Sequence, residues 1–326
     1  MYKVAMDLDR PLRGGSAGDW LLFLVPALIW GTTWFAIKFQ LGAVAPEASV
    51  AYRFALAALL LFGWCAVRRI PLRFDAPTHA SFALLGVLLF ALDYVLVYLS
   101  EEHLTSGVVA LVFGLVAVWN LLGARLFFGT ATPITVATGA ALGMAGVILV
   151  LWPDLAQLRG TADQVRGIGL AALASLAASA GNLWSQRTSR RGSGVIPSTA
   201  WAMAYGSLAV ALYCLVRGVP FGFDPSVPYL VSLGYLALFG SALAFIAYLT
   251  LIRNIGAGRS GYTAVVIPVV AMATSTVFEG YRWSGPALAG MLLVVAGNVL
   301  MLQRTTVAAA IPRPRAAGES SVSANR

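Results

Sequence analysis

The sequence predicts an all-α polytopic membrane protein whose ten transmembrane helices form two inverted five-helix repeats. Of its 326 residues, 59% are hydrophobic and only 11% are charged, and ten mostly apolar runs of about 18 to 22 residues follow one another. A helix of that length crosses a hydrocarbon core of about 30 Å. Barrel strands need only about 9 to 11 residues of alternating polarity, so these uninterrupted runs exclude a membrane barrel.

The ten runs are separated by clusters of Pro, Gly, Asp and Arg, such as Arg68-Arg69-Ile70-Pro71, which are typical of turns at a membrane surface. A polar arm (1–18) precedes them, and a Pro- and Ser-rich tail (305–326), predicted to be disordered and cytoplasmic, follows them. The halves are predicted at 19–153 and 167–304, joined by a loop at 154–166. The helices are predicted at 20–40, 48–67, 79–99, 105–126, 134–152, 167–186, 198–216, 229–250, 260–279 and 286–303.

The basic residues predict the orientation in the membrane, because loops rich in Lys and Arg stay in the cytoplasm. With the N-terminus inside, sixteen Lys and Arg residues lie on the cytoplasmic side and six on the other. Both termini are therefore predicted to be cytoplasmic. The net charge of +9 follows mostly from this asymmetry between loops. Because no soluble basic domain is present, nucleic acid is not an expected partner.

An internal repeat divides the chain into two halves. Gly139 and Gly146 in helix 5 align without a gap with Gly290 and Gly297 in helix 10, at an offset of 151 residues. The same offset relates Pro46 to Pro197 at the start of helices 2 and 7. Because five is an odd number, the second half enters the bilayer from the opposite side, which predicts an inverted repeat suited to alternating access.

These features together resemble a known family. The segment from Trp30 to Lys38, the Pro46 and Arg53 spacing, and the duplicated Gly-x6-Gly of helices 5 and 10 are similar to the drug/metabolite transporter superfamily, and to its ten-helix EamA-type members. The resemblance covers about residues 20–303. It implies a secondary transporter in a bacterial inner membrane, and specifically an exporter of a small organic metabolite such as an amino acid. The acidic–basic pair often seen between the last two helices of each half is absent after helix 4, where Gly129-Thr130-Ala131 stand.

Asp93 is the only acidic residue well inside a predicted span. A carboxylate within the membrane costs at least about 2.5–3.5 kcal/mol on insertion scales, so something must offset it. Two interpretations are open. In one, Asp93 couples transport to a proton or pairs with a substrate ammonium; in the other, it is a structural carboxylate held by Tyr, Thr or a basic side chain of a neighbouring helix.

Several other intramembrane side chains are candidates for solute contact. Aromatic rings four residues apart share a helix face and offer apolar walls with polar tips. Uncharged amides and hydroxyls at membrane depth face the interior, where they contact solute or bond neighbouring helices. Interfacial anchoring is the alternative for the aromatic residues. The predicted substrate-binding residues are Trp30, Thr33, Trp34, Tyr94, Tyr98, Asn120 and Asn182.

Lys38 and Arg53 are predicted near the outer surface. There, long basic side chains either extend to the lipid headgroups or form a vestibule that orients a carboxylate group of the solute. Arg53 is the better candidate for the vestibule because it lies in the family-like stretch after Pro46.

The alternative functions are a membrane-embedded enzyme and a receptor or structural bundle without transport. An enzyme needs a constellation of metal ligands, a nucleophile with its base, or paired acids. The histidines, His79 and His103, fall at span ends on opposite sides, so no zinc site can be assembled from them. We expect no cofactor and no metal. The expected partners are a small-molecule solute, the lipid bilayer and, if Asp93 is functional, protons. The expected oligomeric state is a monomer or a weak homodimer.

Overall fold

The computed structural model describes residues 17–129, 134–156, 162–188, 193–260 and 263–303, and these ranges are mainly helical. A one-turn helix, Ala257–Ser260, leads towards α9. Most of the predicted N-terminal arm and the whole predicted tail lie outside the described residues. The main helices are α1 (Ala17–Lys38), α2 (Pro46–Val67), α3 (Ala76–Glu101), α4 (Ser106–Phe128), α5 (Ile134–Ala156), α6 (Ala162–Thr188), α7 (Val195–Arg217), α8 (Val227–Ile255), α9 (Thr263–Phe278) and α10 (Gly285–Gln303).

The predicted fold class is confirmed. Seven of the helices are long and apolar enough to cross a membrane, and α5, α9 and α10 contain shorter apolar stretches. The predicted helices coincide with the observed ones to within a few residues. Several helices extend further than predicted. Among them, α3 continues past the predicted end at 99 to Glu101, α8 continues past the predicted end at 250 to Ile255, and α6 begins at Ala162, before the predicted start at 167.

Contacts between helix ends define two faces of the bundle. At the first, which we call the Lys38 end, the Gln40 amide donates to the carbonyl of Tyr229, and the Ser100 hydroxyl donates to the carbonyl of Gly167. These bonds bring together the last residues of α1 and α3 with the first residues of α6 and α8.

The opposite face, the Arg253 end, is defined in the same way. The Trp184 indole donates to the carbonyl of Ser81, the Trp201 indole donates to the carbonyl of Leu72, and the backbone N–H of Ala257 donates to Gln186. These bonds join the start of α3 and of α7 to the end of α6 and to the connection between α8 and α9. Consecutive helices therefore alternate in direction.

Helix packing follows the sequence repeat. Helix α2 lies along α7, and α5 lies along α10. Helix α1 packs on α9 and α8, and its counterpart α6 packs in the same way on α4 and α3. Exchanging each helix with the one five places later leaves this pattern unchanged. Helix α1 runs towards the Lys38 end and its counterpart α6 runs away from it, so the two halves are inverted.

The glycines of the repeat bring α5 and α10 together. A Cβ atom on Gly146 would lie 2.5 Å from the carbonyl oxygen of Gly290, and one on Gly297 would lie 2.5 Å from that of Gly139. Backbone contact this close requires glycine on both helices. These glycines therefore bring the two halves of one chain into close contact.

Helices α3 and α8 each contain a π-helical stretch, Val87–Leu92 and Leu236–Leu243. The two stretches occupy equivalent positions in the two halves, since their first residues are about 150 apart in sequence. A π-helical stretch leaves some carbonyls without their usual donors and is frequently found at functional sites. Both stretches pack beside a central cavity of the bundle.

Candidate solute-binding site

The central cavity lies between helices of both halves. The empty space between its side chains is about 630 Å³, including the part open to solvent. Aromatic and aliphatic side chains form most of its wall, and a few polar groups interrupt them, as in sites for small organic molecules. The lining residues are Trp30, Thr33, Trp34, Ile37, Leu89, Asp93, Tyr94, Val97, Phe113, Val116, Ala178, Asn182, Phe245, Tyr248, Thr263 and Ile267.

Asp93 supplies the carboxylate on the cavity wall. It directly follows the π-helical stretch of α3, and its backbone N–H donates to the carbonyl of Leu88. The side chain is 3% exposed, and its Oδ1 atom has no hydrogen-bond partner among the described residues. A buried acceptor without a donor is costly, so the site is suited to a ligand that donates a proton or a hydrogen bond.

The aromatic wall is built from both halves of the chain. Trp30 makes edge-on contacts with Phe245 and Tyr248, at centroid distances of 4.9 and 5.0 Å. Its indole nitrogen donates to the carbonyl of Gly240, within the π-helical stretch of α8. Trp34 packs 5.2 Å from Phe113, and its buried indole nitrogen has no partner in the described part of the chain.

Asn182, on α6, supplies a neutral polar group on the cavity wall. Its amide donates to the hydroxyl of Tyr248 at 3.2 Å and to Oδ1 of Asn120 at 3.4 Å. Asn182 lines the cavity and retains a side-chain oxygen with no partner among the described residues. Asn120 is fully buried behind it and does not line the cavity. The two asparagines therefore form a pair in which only Asn182 reaches the empty space.

Arg53 does not extend to the lipid headgroups, which was one of the two roles predicted for it. The side chain is fully buried, because α2 packs against α3 and the π-helical stretch of α8. Its Nε donates to the Ser241 hydroxyl at 2.9 Å and one terminal nitrogen donates to the Tyr98 hydroxyl at 3.4 Å. The guanidinium carbon lies 4.5 Å from the centroid of the Tyr94 ring, a cation–π contact.

Arg53 lies one layer behind the cavity wall. Its second terminal nitrogen has no partner in the described ranges, and a Cβ atom built on Gly240 would lie 3.1 Å from it and 2.7 Å from the Thr33 methyl group. Thr33 lines the cavity, whereas Tyr98 is fully buried and does not. The Tyr98 ring is therefore not an interfacial anchor; its hydroxyl holds Arg53 in place.

Lys38 does not extend to the lipid headgroups. Its ammonium turns into the bundle and donates to the backbone carbonyls of Glu101 and Leu104, the latter at 2.6 Å. Lys38 adjoins the cavity residue Ile37 without lining the cavity itself. It therefore joins the end of α1 to the connection between α3 and α4.

Sequence reasoning missed several residues of the site. Phe245 and Tyr248 share a face of α8 at a spacing of three, a signal that could have identified them. Phe113, Thr263 and Ile267 carry no local signal, because only the packing of α4 and α9 brings them to the cavity. Glu101 was also missed as a buried acid, since α3 extends further than predicted and the side chain is 1% exposed.

The EamA-like transporter family model matches residues 18–152 and again residues 165–303. The chain belongs to the EamA-like transporter family. It is 29% identical over 296 residues to the inner membrane transporter YedA of Escherichia coli, covering 87% of this chain and 92% of YedA. It is 21% identical to protein PagO of Salmonella typhimurium over 86% of this chain and 92% of PagO, and 21% identical to a transporter of Archaeoglobus fulgidus over 87% of this chain and 99% of the relative.

A solved crystal structure shares the fold of this EamA-like chain. It superposes with a TM-score of 0.69 at 18% identity, covering 90% of this chain and 99% of the other. The family and the helices together identify a multi-pass membrane transporter. The resemblance to EamA-type transporters drawn from the sequence is thus confirmed.

Proposed function

We propose that this EamA-like chain is a secondary exporter of a small organic metabolite such as an amino acid, working by alternating access. The observation that carries the proposal is the buried Asp93 carboxylate, which lines the cavity and has one oxygen without a hydrogen-bond partner among the described residues. An ammonium group would satisfy that oxygen, and the faces of neighbouring aromatic rings would also attract it. Such a solute would lie between Asp93 and the rings of Trp30, Trp34 and Tyr94.

The position of Arg53 supports a solute that also bears a carboxylate group. Its free terminal nitrogen lies beside Thr33, at the cavity wall, and no carboxylate of the described residues lies within ion-pair distance of it. A rearrangement of Thr33 and the π-helical stretch around Gly240 would bring the guanidinium to the cavity. Asp93 and Arg53 would then bind opposite ends of a zwitterion.

Differences between the two ends of the bundle support alternating access. At the Lys38 end, Gln40, Ser49, Ser106 and Glu101 are buried, which closes the cavity there. At the Arg253 end, a second pocket lies about one helical turn beyond the cavity, next to Leu85 and Ser185. If the Arg253 end faces the cytoplasm, as the distribution of basic residues predicts, the chain is closed to the outside and approachable from within.

Transport by the purified chain in liposomes tests the proposal. A panel of labelled amino acids, amines and organic acids is offered with and without an imposed pH gradient, to the wild type and to Asp93→Asn. We expect flux of at least one amine-bearing solute by the wild type and its loss in Asp93→Asn at equal protein content. Equal flux in both proteins would refute the site, and no flux of any solute would refute the transport function.

Gradient dependence separates the two roles of Asp93. Flux that responds to the pH gradient and is lost in Asp93→Asn supports proton coupling at this carboxylate. Gradient-independent flux that is lost in the same variant supports an ammonium-binding role without coupling. Asp93→Glu, which keeps the charge, is the matched control and should retain part of either activity.

A further inference from the structure

A cluster of charged groups at the Lys38 end lies outside the solute cavity. Glu101 ends α3, Lys38 ends α1, and Glu279 follows α9. Glu279 accepts hydrogen bonds from both the backbone N–H and the hydroxyl of Ser106, the first residue of α4. Together with the bonds from Lys38 to the carbonyls of Glu101 and Leu104, the cluster joins the ends of four helices directly beyond the cavity.

In the described part of the chain, no group donates a hydrogen bond to the Glu101 carboxylate. The side chain is 1% exposed, and neither carboxylate oxygen has a hydrogen-bond partner among the described residues. The Lys38 ammonium bonds backbone oxygens instead of this carboxylate. A buried ionised carboxylate without donors is costly, so Glu101 is suited to binding a proton.

The charges around Glu101 define the ligand that would satisfy it. Lys38 of α1, Arg53 of α2 and Glu279 after α9 interact with it electrostatically. Its own helix contributes the neutral Tyr98, and α6 contributes Asp163, which is exposed and faces His103 at 4.0 Å, and the exposed Arg166. Arg53 and Asp93 carry opposite charges and interact beyond ion-pair distance, so they cancel in the sum of charges, and Lys38 balances one of the two glutamates. One negative charge remains, which a single proton would neutralise.

We propose that Glu101 is a proton-binding site that controls opening of the Lys38 end, with Lys38 and Glu279 as the charged groups beside it. With the proton bound, the charges balance and the four helix ends stay together. When the proton leaves, an uncompensated buried negative charge favours separation of the helix ends and entry of water. Val97, one turn before Glu101, and Ile37, next to Lys38, line the cavity, so this separation would open it. The inference rests on the proposed alternating access.

Cysteine labelling tests the proposal without any solute. Cys65 and Cys214 are replaced by alanine, and Val97→Cys, at a position that is 2% exposed and lines the cavity, reports opening. Proteoliposomes receive a membrane-impermeant maleimide on the outside at a series of pH values. Each rate is divided by that of Phe39→Cys, an exposed position at the same end, which corrects for protein orientation and for the pH dependence of the reagent.

We expect the labelling ratio to rise at least about tenfold from acidic to mildly alkaline pH, which corresponds to about 1.4 kcal/mol. Glu101→Gln, which mimics the protonated state, should keep the ratio low at every pH, and Glu279→Gln should weaken the rise. Lys38→Met should raise the ratio already at acidic pH. The matched control is Glu102→Gln, because Glu102 is the exposed neighbour and its loss should leave the pH response intact.

Three outcomes would overturn the proposal. They are a ratio that does not change with pH, an unaltered rise in both Glu101→Gln and Glu279→Gln, and a ratio that follows sodium instead of pH when sodium is replaced by choline. Transport with a pH-independent ratio would leave the exporter function standing and remove only the proton-controlled opening. A pH-dependent ratio in a chain that transports no solute would leave the proton-controlled opening standing and remove the exporter function.

Discussion

The guanidinium carbon of Arg53 lies 4.5 Å from the centre of the Tyr94 ring, within the core of the bundle. Tyr94 is at the same time a wall residue of the cavity and the neighbour of Asp93 in sequence. One aromatic ring thus lies between a buried cation and the cavity that the acidic residue faces. Because Tyr94 contacts both Arg53 and the cavity, a substitution at Arg53 should change solute binding.

Replacing Arg53 should impair transport more than stability. The guanidinium bonds only neutral groups, so Arg53→Met removes a desolvated charge that no carboxylate of the described residues offsets within 4.0 Å. We expect an unchanged or higher melting temperature, because apolar replacement of buried charges is often neutral or stabilising. Transport of a zwitterionic solute should fall at least about tenfold, about 1.4 kcal/mol.

Arg53→Lys is the companion variant for that measurement. Lysine keeps the positive charge, but its single ammonium group cannot reproduce the separate bonds that the guanidinium nitrogens make to Ser241 and Tyr98. We therefore expect a transport rate between those of the wild type and Arg53→Met. Wild-type transport of zwitterions by Arg53→Met, measured in liposomes at equal protein content, would contradict a role in solute binding.

The two buried asparagines should behave differently. Asn182 reaches the cavity and Asn120 lies behind it, so Asn182→Ala should raise KM, because the solute loses a hydrogen-bonding partner. Asn120→Ala should have the smaller effect on KM and act mainly through stability, by about 0.6 kcal/mol for an interhelical bond in a membrane. KM from initial transport rates and melting temperatures in detergent measure the two effects. Equal KM shifts in both variants would refute this division.

Two neighbouring glycines of α5 form a matched pair for stability. A Cβ atom on Gly146 would meet the backbone of α10 at 2.5 Å, whereas one on Gly143 would meet nothing within 4 Å. Gly146→Ala should therefore destabilise the bundle by about 1–3 kcal/mol through overpacking. Gly143→Ala should be neutral or slightly stabilising, because alanine favours helix. Thermal unfolding followed by helical signal tests the pair, and equal melting temperatures would contradict the close contact.

Glycines of α8 provide a similar test of the site. Gly240→Ala would place a methyl group 2.7 Å from the Thr33 methyl and 3.1 Å from the free nitrogen of Arg53. We expect this substitution to displace both groups and to lower transport several-fold at unchanged membrane abundance. Gly234→Ala, on the same helix with nothing within 4 Å, should keep wild-type transport. A Gly240→Ala protein with wild-type rates would show that the position of Arg53 does not matter to the solute.

Much of this protein was predictable without coordinates. Run length and composition sufficed for the helices, because a helix must satisfy its own backbone hydrogen bonds in lipid and be long enough to cross it. The Gly139 and Gly290 repeats predicted two inverted halves. Trp30, Thr33, Trp34, Asp93, Tyr94 and Asn182, chosen for polar or aromatic character at membrane depth, do line one cavity.

Tertiary structure alone decided where the remaining charges lie. Arg53 and Lys38 were predicted near the surface because long basic side chains reach water from helix ends, but their direction depends on which helix packs beside them. Arg53 points into the bundle and donates hydrogen bonds to Tyr98 and Ser241, and Lys38 donates to the backbone carbonyl of Glu101 at the end of α3. The π-helical stretches, the wall residues from α4, α8 and α9, and the burial of Glu101 likewise depend on contacts between helices that are distant in sequence.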